Sequence, residues 1–337
     1  MIYFLNSSSY FLLKNENIEI RNPEWNYVAN LSWEAFEWMY KNLKKSRYNE
    51  LCISIEPNIG VPDFVEVLIR RNVFVKSVEK PMPWNYWGFE TQLFHYAAMH
   101  TRFLSDPIEI DLQKIGMSDA PPRVSLRDEL EYTRSVCLPH EEVKSPVGEV
   151  ISRRRTVRRF SSEPISGVVL SEVVSTTFGV SQYVNSGFFG ELPLKGYPSS
   201  GARHEHELLV IIFNVTGIDA GIYLYDDEND NFLQLNLSYN LDDLEDLTGR
   251  QGMTHSAFML LTICLSERIA WKYRNPRGYT DVYEDVGHAL ENVILHFEDY
   301  AISAWLSTAI DNNTFKRIIP VGDSRFATAV VAFGKKA

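Results

Sequence analysis

Apolar positions along this chain fall into two regimes. Over the first 80 residues the short apolar runs Ile2–Leu5, Tyr10–Leu13 and Ile18–Ile20 predict strands. From Ser32 the period becomes helical: Phe36, Met39, Tyr40 and Leu43 recur at i, i+3, i+4 and i+7, which predicts one buried face with Ser32 as its N-cap. Pro62 opens a second helix carrying Phe64, Val65, Leu68 and Ile69, and Val73–Val75 returns to strand. This order is that of a winged-helix-like module over residues 1–80.

Residues 81–145 read as a connecting segment. They hold an aromatic cluster (Trp84, Tyr86, Trp87, Phe89), a helix through Phe94–His100 and a Pro-rich linker or strap at Ser118–Arg123. After Pro146 helix and strand periods alternate more strongly, the texture of an α+β domain over 146–337. Leu208–Phe213 and Gly221–Asp226 predict antiparallel neighbours. Ala289, Leu290, Val293, Ile294 and Phe297 mark a buried helix face, on which Gly287 permits close approach, and Phe326–Phe333 is a closing strand.

Composition narrows the class. A chain of 337 residues, 45% apolar and 13% aromatic, has ample core material for more than one domain. A formal charge of −11 disfavours nucleic acid and anionic membranes as partners, and the second N-terminal helix offers only Arg70 and Arg71 to DNA. A peptide added to a strand edge is the better use of that module. Cys52, Cys137 and Cys264 are scattered with no C-x-x-C, the first residues lack the basic n-region of a signal peptide, and Ala257–Leu265 is too short to span a bilayer. A cytoplasmic protein is expected.

Three motifs could carry chemistry. Within this acidic chain Arg153, Arg154, Arg155, Arg158 and Arg159 crowd around Thr156, either a solvated basic loop or a site for phosphate, whose oxygens match guanidinium forks. Lys195-Gly196-Tyr197-Pro198-Ser199-Ser200-Gly201-Ala202-Arg203-His204 forms a turn whose backbone and hydroxyls can approach a planar ligand. The His204-x-His206 pair, flanked by Glu205 and Glu207, has metal-like spacing but no third ligand, so satisfied or surface histidines and no metal are expected. His95 and His100 are either pocket residues or ordinary helix-surface histidines. The third motif is Trp305–Asp311, a strand or loop offering backbone N–H groups after the helix of Asp285–His296.

Together these motifs resemble a known family. Arg154-Arg155-Thr156-Val157-Arg158-Arg159-Phe160 is similar to the R-R-S-x-R-x-F opening of the nitroreductase superfamily. Tyr197–His204, with Gly221-Ile222-Tyr223-Leu224-Tyr225, resembles the Y-P-S-x-G-A-x-H and G-x-Y-x-Y pattern of SagB-type dehydrogenases, which oxidise thiazolines or oxazolines to thiazoles or oxazoles in peptide natural products. The resemblance covers about the last 190 residues. It implies a mainly antiparallel central sheet flanked by helices, and a homodimer with FMN held between subunits by Arg154, Arg155, Thr156, Arg158, Pro198, Ser199, Ser200 and Gly201. Thr308-Ala309 stands where the family commonly has a glycine pair facing the flavin's reactive edge. A neighbouring lysine and tyrosine serve as base in azoline oxidases; the pair assigned here is Lys195 and Tyr197, split by Gly196. A cationic Lys195 beside Tyr197 would favour the phenolate that takes the ring proton. The other reading leaves Lys195 in solvent and packs Tyr197 against the flavin.

The implied function is an FMN-dependent oxidation of azoline rings in a peptide or carrier-bound intermediate, with a cyclase or synthetase as possible partner. Two readings stand beside it: a flavin reductase acting on dehydroamino acids or small electrophiles, and an inactive peptide-binding scaffold.

Overall fold

The computed structural model describes residues 2–5, 9–14, 17–22, 27–45, 51–54, 62–76, 83–99, 135, 137, 145–322 and 324–337. The Pro-rich stretch 118–123 and His100 lie outside them. The N-terminal elements are β1 (Ile2–Leu5), β2 (Tyr10–Lys14), β3 (Asn17–Asn22), β4 (Tyr27–Leu31), α1 (Trp33–Asn42), β5 (Lys44–Lys45), β6 (Leu51–Ser54), α2 (Asp63–Arg70) and β7 (Phe74–Val75). They build one sheet ordered β5-β6-β1-β7 and one ordered β2-β3-β4, around a core of Tyr3, Ile20, Met39, Val65, Leu68, Val73 and Phe74. Ser32 caps α1 as expected, accepting from the Ala35 amide at 3.2 Å. Tyr40 does not join the buried face; it is 76% exposed. At 100° per residue the face centres near Met39, with Phe36, Trp38 and Leu43 packed beside it, and this turns Tyr40 outward.

Residues 83–99 form α3 (Trp84–Trp87) and α4 (Phe89–Met99), broken at Gly88, whose φ of +85° suits glycine. Far from merely connecting, this pair packs into the C-terminal region: Trp84 and Trp87 share a cluster with Cys264, Ile269, Tyr279, Val282 and Phe326.

The remaining elements are α5 (Pro146–Arg153), β8 (Ile165–Ser166), α6 (Gly167–Phe178), β9 (Gln182–Asn185), β10 (Glu191–Leu194), β11 (His206–Ile212), β12 (Val215–Thr216), β13 (Gly221–Asp226), β14 (Asn231–Gln234), α7 (Leu241–Leu247), β15 (Phe258–Leu265), α8 (Ser266–Ala270), α9 (Arg277–Asp299), β16 (Ser303–Ser307), α10 (Asn312–Ile318) and β17 (Arg325–Gly334). Six strands make the central sheet, ordered β14-β13-β11-β15-β17-β16, with every neighbouring pair antiparallel. The strand period of two sends Leu208, Val210, Ile212, Phe258 and Leu260 to one face and Leu209, Ile211, Met259 and Leu261 to the other. Helices α6 and α9 cover the first face, α7 and α10 the second. Burial on both faces explains why β15 reads as an apolar run broken only by Thr262, whose hydroxyl meets that of Thr328. Among the described residues no helix is long and apolar enough to cross a membrane.

Helix α9 buries the expected Ala289, Leu290, Val293, Ile294 and Phe297. Truncating the fully buried Phe297 to alanine would cost about 3–5 kcal/mol. Gly287, however, has open space where a Cβ would stand, so close packing does not require it. Gly196 does meet that requirement: a Cβ there would run into the Thr176 carbonyl oxygen and lie 3.0 Å from Thr177 Cα. Gly287→Ala is therefore expected to be neutral or to stabilise by up to ~1 kcal/mol through helix propensity, whereas Gly196→Ala should destabilise by ~1–3 kcal/mol through backbone displacement. Urea unfolding of the two variants checks this; equal midpoints would refute the packing assignment.

Candidate active site

Two groups of site residues sit on opposite parts of the sheet. The first begins where α5 ends. Arg153 faces the end of α9, donating to the Glu298 carbonyl at 3.0 Å and pairing with Asp299 at 3.2 Å. The chain then runs along the edge strand β16: Thr156 bridges Ala304, the Val157 amide donates to the Ala304 carbonyl at 3.0 Å, and Phe160 bridges Lys336. Arg158 stacks over Trp305 at 5.6 Å, and Arg155 donates to the Ser152 and Arg154 carbonyls at 3.0 and 2.7 Å. Among the described residues Arg154, Arg158, Arg159 and Lys336 have no carboxylate partner, while Lys335 pairs with Glu163 at 2.7 Å. With Arg155 held only by carbonyls, these cations form a locally basic stretch in an acidic chain, of the kind that could hold an anion. Lys336 is an addition: only the register of the last strand against Phe160 brings it here.

Thr308 and Ala309 follow β16 along the same edge. The Ala309 amide already donates to Ser307 Oγ at 3.1 Å, so it is not the free donor expected of that position.

The second group is the loop entering β11. Lys195 forms a buried ion pair with Asp227, its side chain 3% exposed. It does not polarise Tyr197. The Tyr197 ring stands edge-on to Phe178 and His204 at 5.7 and 5.0 Å, and among the described residues its Oη has no hydrogen-bond partner. Burial first, then the charges of Glu205, Asp285 and Asp227, push that phenol well above its ordinary range, so a Tyr197 phenolate is disfavoured. Ser199 Oγ accepts from the His204 amide at 2.9 Å, and Ser200 donates to Asp285 through its amide at 2.7 Å and its hydroxyl at 3.2 Å. Pro198 stays exposed. Gly201, Ala202 and His204 all have positive φ (60°, 52° and 42°), a strained turn for the last two.

A different lysine and tyrosine lie on this loop. A Cβ built on Gly201 would strike Lys272 Nζ and come within 2.9 Å of Tyr273 Oη. The two are adjacent in sequence, in the turn between α8 and α9, where no periodicity marks them. Lys272 Nζ sits 4.4 Å over the Phe189 ring and 5.5 Å over that of Tyr273. Burial and the charges of Asp281 and Asp285 push the Tyr273 phenol up, against a lowering by Arg203. Beside the loop a cleft of about 380 Å³ is lined by Arg203, Arg268, Trp271 and Glu191, among others.

Beneath the loop lies a feature contrary to expectation. His204, Glu205 and His206 are buried, and among the described residues His204 Nδ1, both Glu205 carboxyl oxygens and both His206 ring nitrogens have no hydrogen-bond partner. Burial, then Asp285 and Asp281, push Glu205 up to about 8. Burial lowers His204 to about 4, helped by Lys195, and lowers His206 to about 3, helped by Arg268. The 3.4 Å approach of His206 Nδ1 to Glu205 Oε1 is therefore a contact of neutral groups, not an ion pair. Among the described residues no three of His, Cys, Asp and Glu converge as a metal site. His95 is also buried, in the α3–α4 aromatic cluster, 3.2 Å from Tyr279 Oη.

Helix α9 sets the distance between the two groups. Asp285 holds Ser200, Asn292 donates to the Gly196 carbonyl at 2.7 Å, and Glu298 and Asp299 hold Arg153. The thirteen residue steps from Asp285 to Glu298 rise ~20 Å along the helix, with Asn292 and its hold on Gly196 between them.

The family model described as the nitroreductase family matches residues 151–335. A protein of Methanocaldococcus jannaschii named as a nitroreductase is 25% identical over 190 residues, 56% of this chain and 91% of that protein. The trifolitoxin-processing protein TfxB of Rhizobium leguminosarum bv. trifolii is 27% identical over 183 residues, 52% of this chain and 45% of that protein. Among solved structures, a chain of the E. coli microcin synthetase McbBCD complex with truncated pro-MccB17 bound shares the fold, with a TM-score of 0.50 and 17% identity over 75% of this chain and 95% of that one.

The buried carboxyl makes a stability prediction whose sign is fixed. A folded value near 8 against an ordinary 4.5 means that the neutral form stabilises the fold below the ordinary value and that this is lost as pH rises toward 8. Glu205→Gln should therefore gain melting temperature relative to the unsubstituted protein as pH rises from ~5 to ~8. The histidines act oppositely, weakening both proteins alike as pH falls below ~6.5. A difference in melting temperature that stays flat across this range would refute the burial of Glu205.

Proposed function

This chain belongs to the nitroreductase family, and from that premise we propose that it is an FMN-dependent dehydrogenase of azoline rings in a peptide or carrier-bound intermediate. The observation that carries this reading is the adjacent Lys272–Tyr273 pair on Gly201, inside the loop that resembles SagB-type dehydrogenases. The pair takes over the role first assigned to Lys195 and Tyr197. Support comes also from the relatives, one named for trifolitoxin processing and one a microcin synthetase with a pro-peptide bound.

The residues fit the cofactor. Arg154, Thr156 and Arg158, with Arg155 and Lys336 beside them, supply donors of the kind a flavin phosphate needs, unclaimed by carboxylates. Thr308 and Ala309 lie further along the same edge, where an extended ligand would place its ring. Pro198, Ser199, Ser200 and Gly201 would reach that ring from a second copy, since the loop's anchor at Asp285 lies ~20 Å along α9 from the anchor of Arg153 at Glu298. A homodimer answers this, and the hairpin of β9 and β10 offers Tyr183, Val184 and Phe188, the last 91% exposed, for it to cover. The N-terminal module would recruit the peptide by strand addition, and a cyclase or synthetase would supply the azoline.

Bound FMN would accept the hydride. The chain's part is to receive the proton from the adjacent ring carbon. Tyr273 holds its own proton at neutral pH, since its phenol is pushed up, so the Lys272–Tyr273 pair must lose one proton before accepting the substrate's. The nearby cation favours the resulting phenolate. The step balances: the ring loses a proton to the pair and a hydride to the flavin, and gains a double bond.

Purified protein is expected to be yellow and to release FMN stoichiometric with the chain. Joint Arg154→Ala and Arg158→Ala substitution should weaken FMN retention at least ~10-fold. Dehydrogenation of an azoline peptide should rise with pH, need O₂ but no nicotinamide, and fall ~100-fold or more in Tyr273→Phe with FMN retained. Colourless protein that cannot be reconstituted would leave the peptide-binding scaffold, a requirement for NAD(P)H the reductase, and full activity of Tyr273→Phe would remove this pair from the mechanism.

A further inference from the structure

The turn that carries Lys272 and Tyr273 has little structure of its own. From α8 it receives two hydrogen bonds, the amides of Lys272 and Tyr273 both donating to the Ile269 carbonyl at 3.1 and 2.9 Å. The outward constraint comes from far along the chain. The indole N–H of Trp87 donates to the Tyr273 carbonyl at 3.0 Å, and Trp87 is fully buried. Its neighbour Tyr86 receives the Arg274 guanidinium on its ring face at 4.8 Å. Gly278, at the start of α9, leaves room for this grip: a Cβ there would lie 2.8 Å from the Tyr273 oxygen and 2.9 Å from Trp87 Nε1. Residues 84–87 stand outside the 151–335 stretch that matches the family. A segment outside the family match thus holds the C-terminal side of the turn.

We propose that Trp87 is a positioning residue for the Lys272–Tyr273 pair, its N–H fixing the Tyr273 carbonyl and thereby the direction of the phenol over Gly201. A buried indole N–H needs some acceptor, and core packing alone would explain that. Packing alone does not explain why the acceptor is the backbone of the reacting residue, why a glycine is placed where any side chain would break the bond, or why Tyr86 clamps the next residue. Rotating the Tyr273 peptide moves its phenol relative to Gly201, and misplacement of a reacting group by ~1 Å can cost ~100-fold in rate. The proposal rests on the reading of Lys272–Tyr273 as the proton acceptor, and its test separates the two.

The test uses the FMN-loaded full chain. Trp87→Phe keeps an aromatic ring and removes the donor; benzothienylalanine at position 87 keeps the indole shape as well, which guards against loss of folding. Each is expected to lower kcat about 10-fold with KM and FMN content unchanged and to shift the alkaline limb of the pH profile. In a Tyr273→Phe background the same changes should cost nothing more, because Trp87 acts through the phenol. A readout independent of activity is the ¹⁹F resonance of 3-fluorotyrosine at position 273, which should shift or broaden when the N–H is removed. An unmoved resonance, or an equal fold-loss of kcat in both backgrounds, overturns the proposal. A moved resonance with a fully active Tyr273→Phe overturns instead the assignment of the base and leaves Trp87 as what positions Tyr273.

Discussion

Helix α9 sets the geometry on which everything else depends. Its apolar face, from Val282 to Phe297, locks it to the central sheet, so its polar contacts cannot slide. Asp285 fixes the Ser199–Gly201 loop, Asn292 fixes the turn before it, and Glu298 fixes the start of the arginine segment. The anchors at Asp285 and Glu298 stand ~20 Å apart along the helix axis, and the proposed dimer would bring the arginines of one copy near the loop of the other.

The loop itself is held in an unfavourable state. Ala202 and His204 occupy left-handed backbone, and five buried polar atoms of His204, Glu205 and His206 have no partner among the described residues. Unpaired buried polar groups and strained backbone each cost of the order of 1–3 kcal/mol. The surrounding sheet and helices, with clusters on both faces, supply the stability to hold such a turn in place. Such strain gathers where backbone must approach another group closely, and here it presents Gly201 to Lys272 and Tyr273.

Much of the sheet was legible because periodicity is local: β11, β13 and β17 stand where alternation or continuous apolar runs put them. The arginine segment was legible for the same reason, since charge density needs no partner to be noticed. The Lys272–Tyr273 pair proposed as proton acceptor was not. Its nearness to Gly201 exists only after α8 folds back on the loop, whereas Lys195 and Tyr197 stand close together in the sequence; in the structure Lys195 pairs with Asp227 and Tyr197 packs on Phe178. The histidines misled in a similar way. Four consecutive polar residues suggest a surface, yet pairing of His206 with Cys264 pulls that stretch into the sheet. Tyr40 failed by angle alone, because a helical stripe fixes a face only after its neighbours fix the centre.

The contacts of α3 bear on where the family domain of this chain effectively begins. A boundary at Pro146 follows the change in sequence texture, and the family match starts nearby, at 151. Packing disagrees: Trp84 and Trp87 fill the same cluster as Ile269, Tyr279 and Phe326, and Trp87 bonds to the Tyr273 backbone. Cutting at Pro146 would open a void the size of two indoles beside α8 and free the turn that carries the Lys–Tyr pair. The physical unit therefore reaches back at least to Trp84. An insertion or partner acting on residues 84–87 would be felt at the turn directly, through Trp87 and Tyr86.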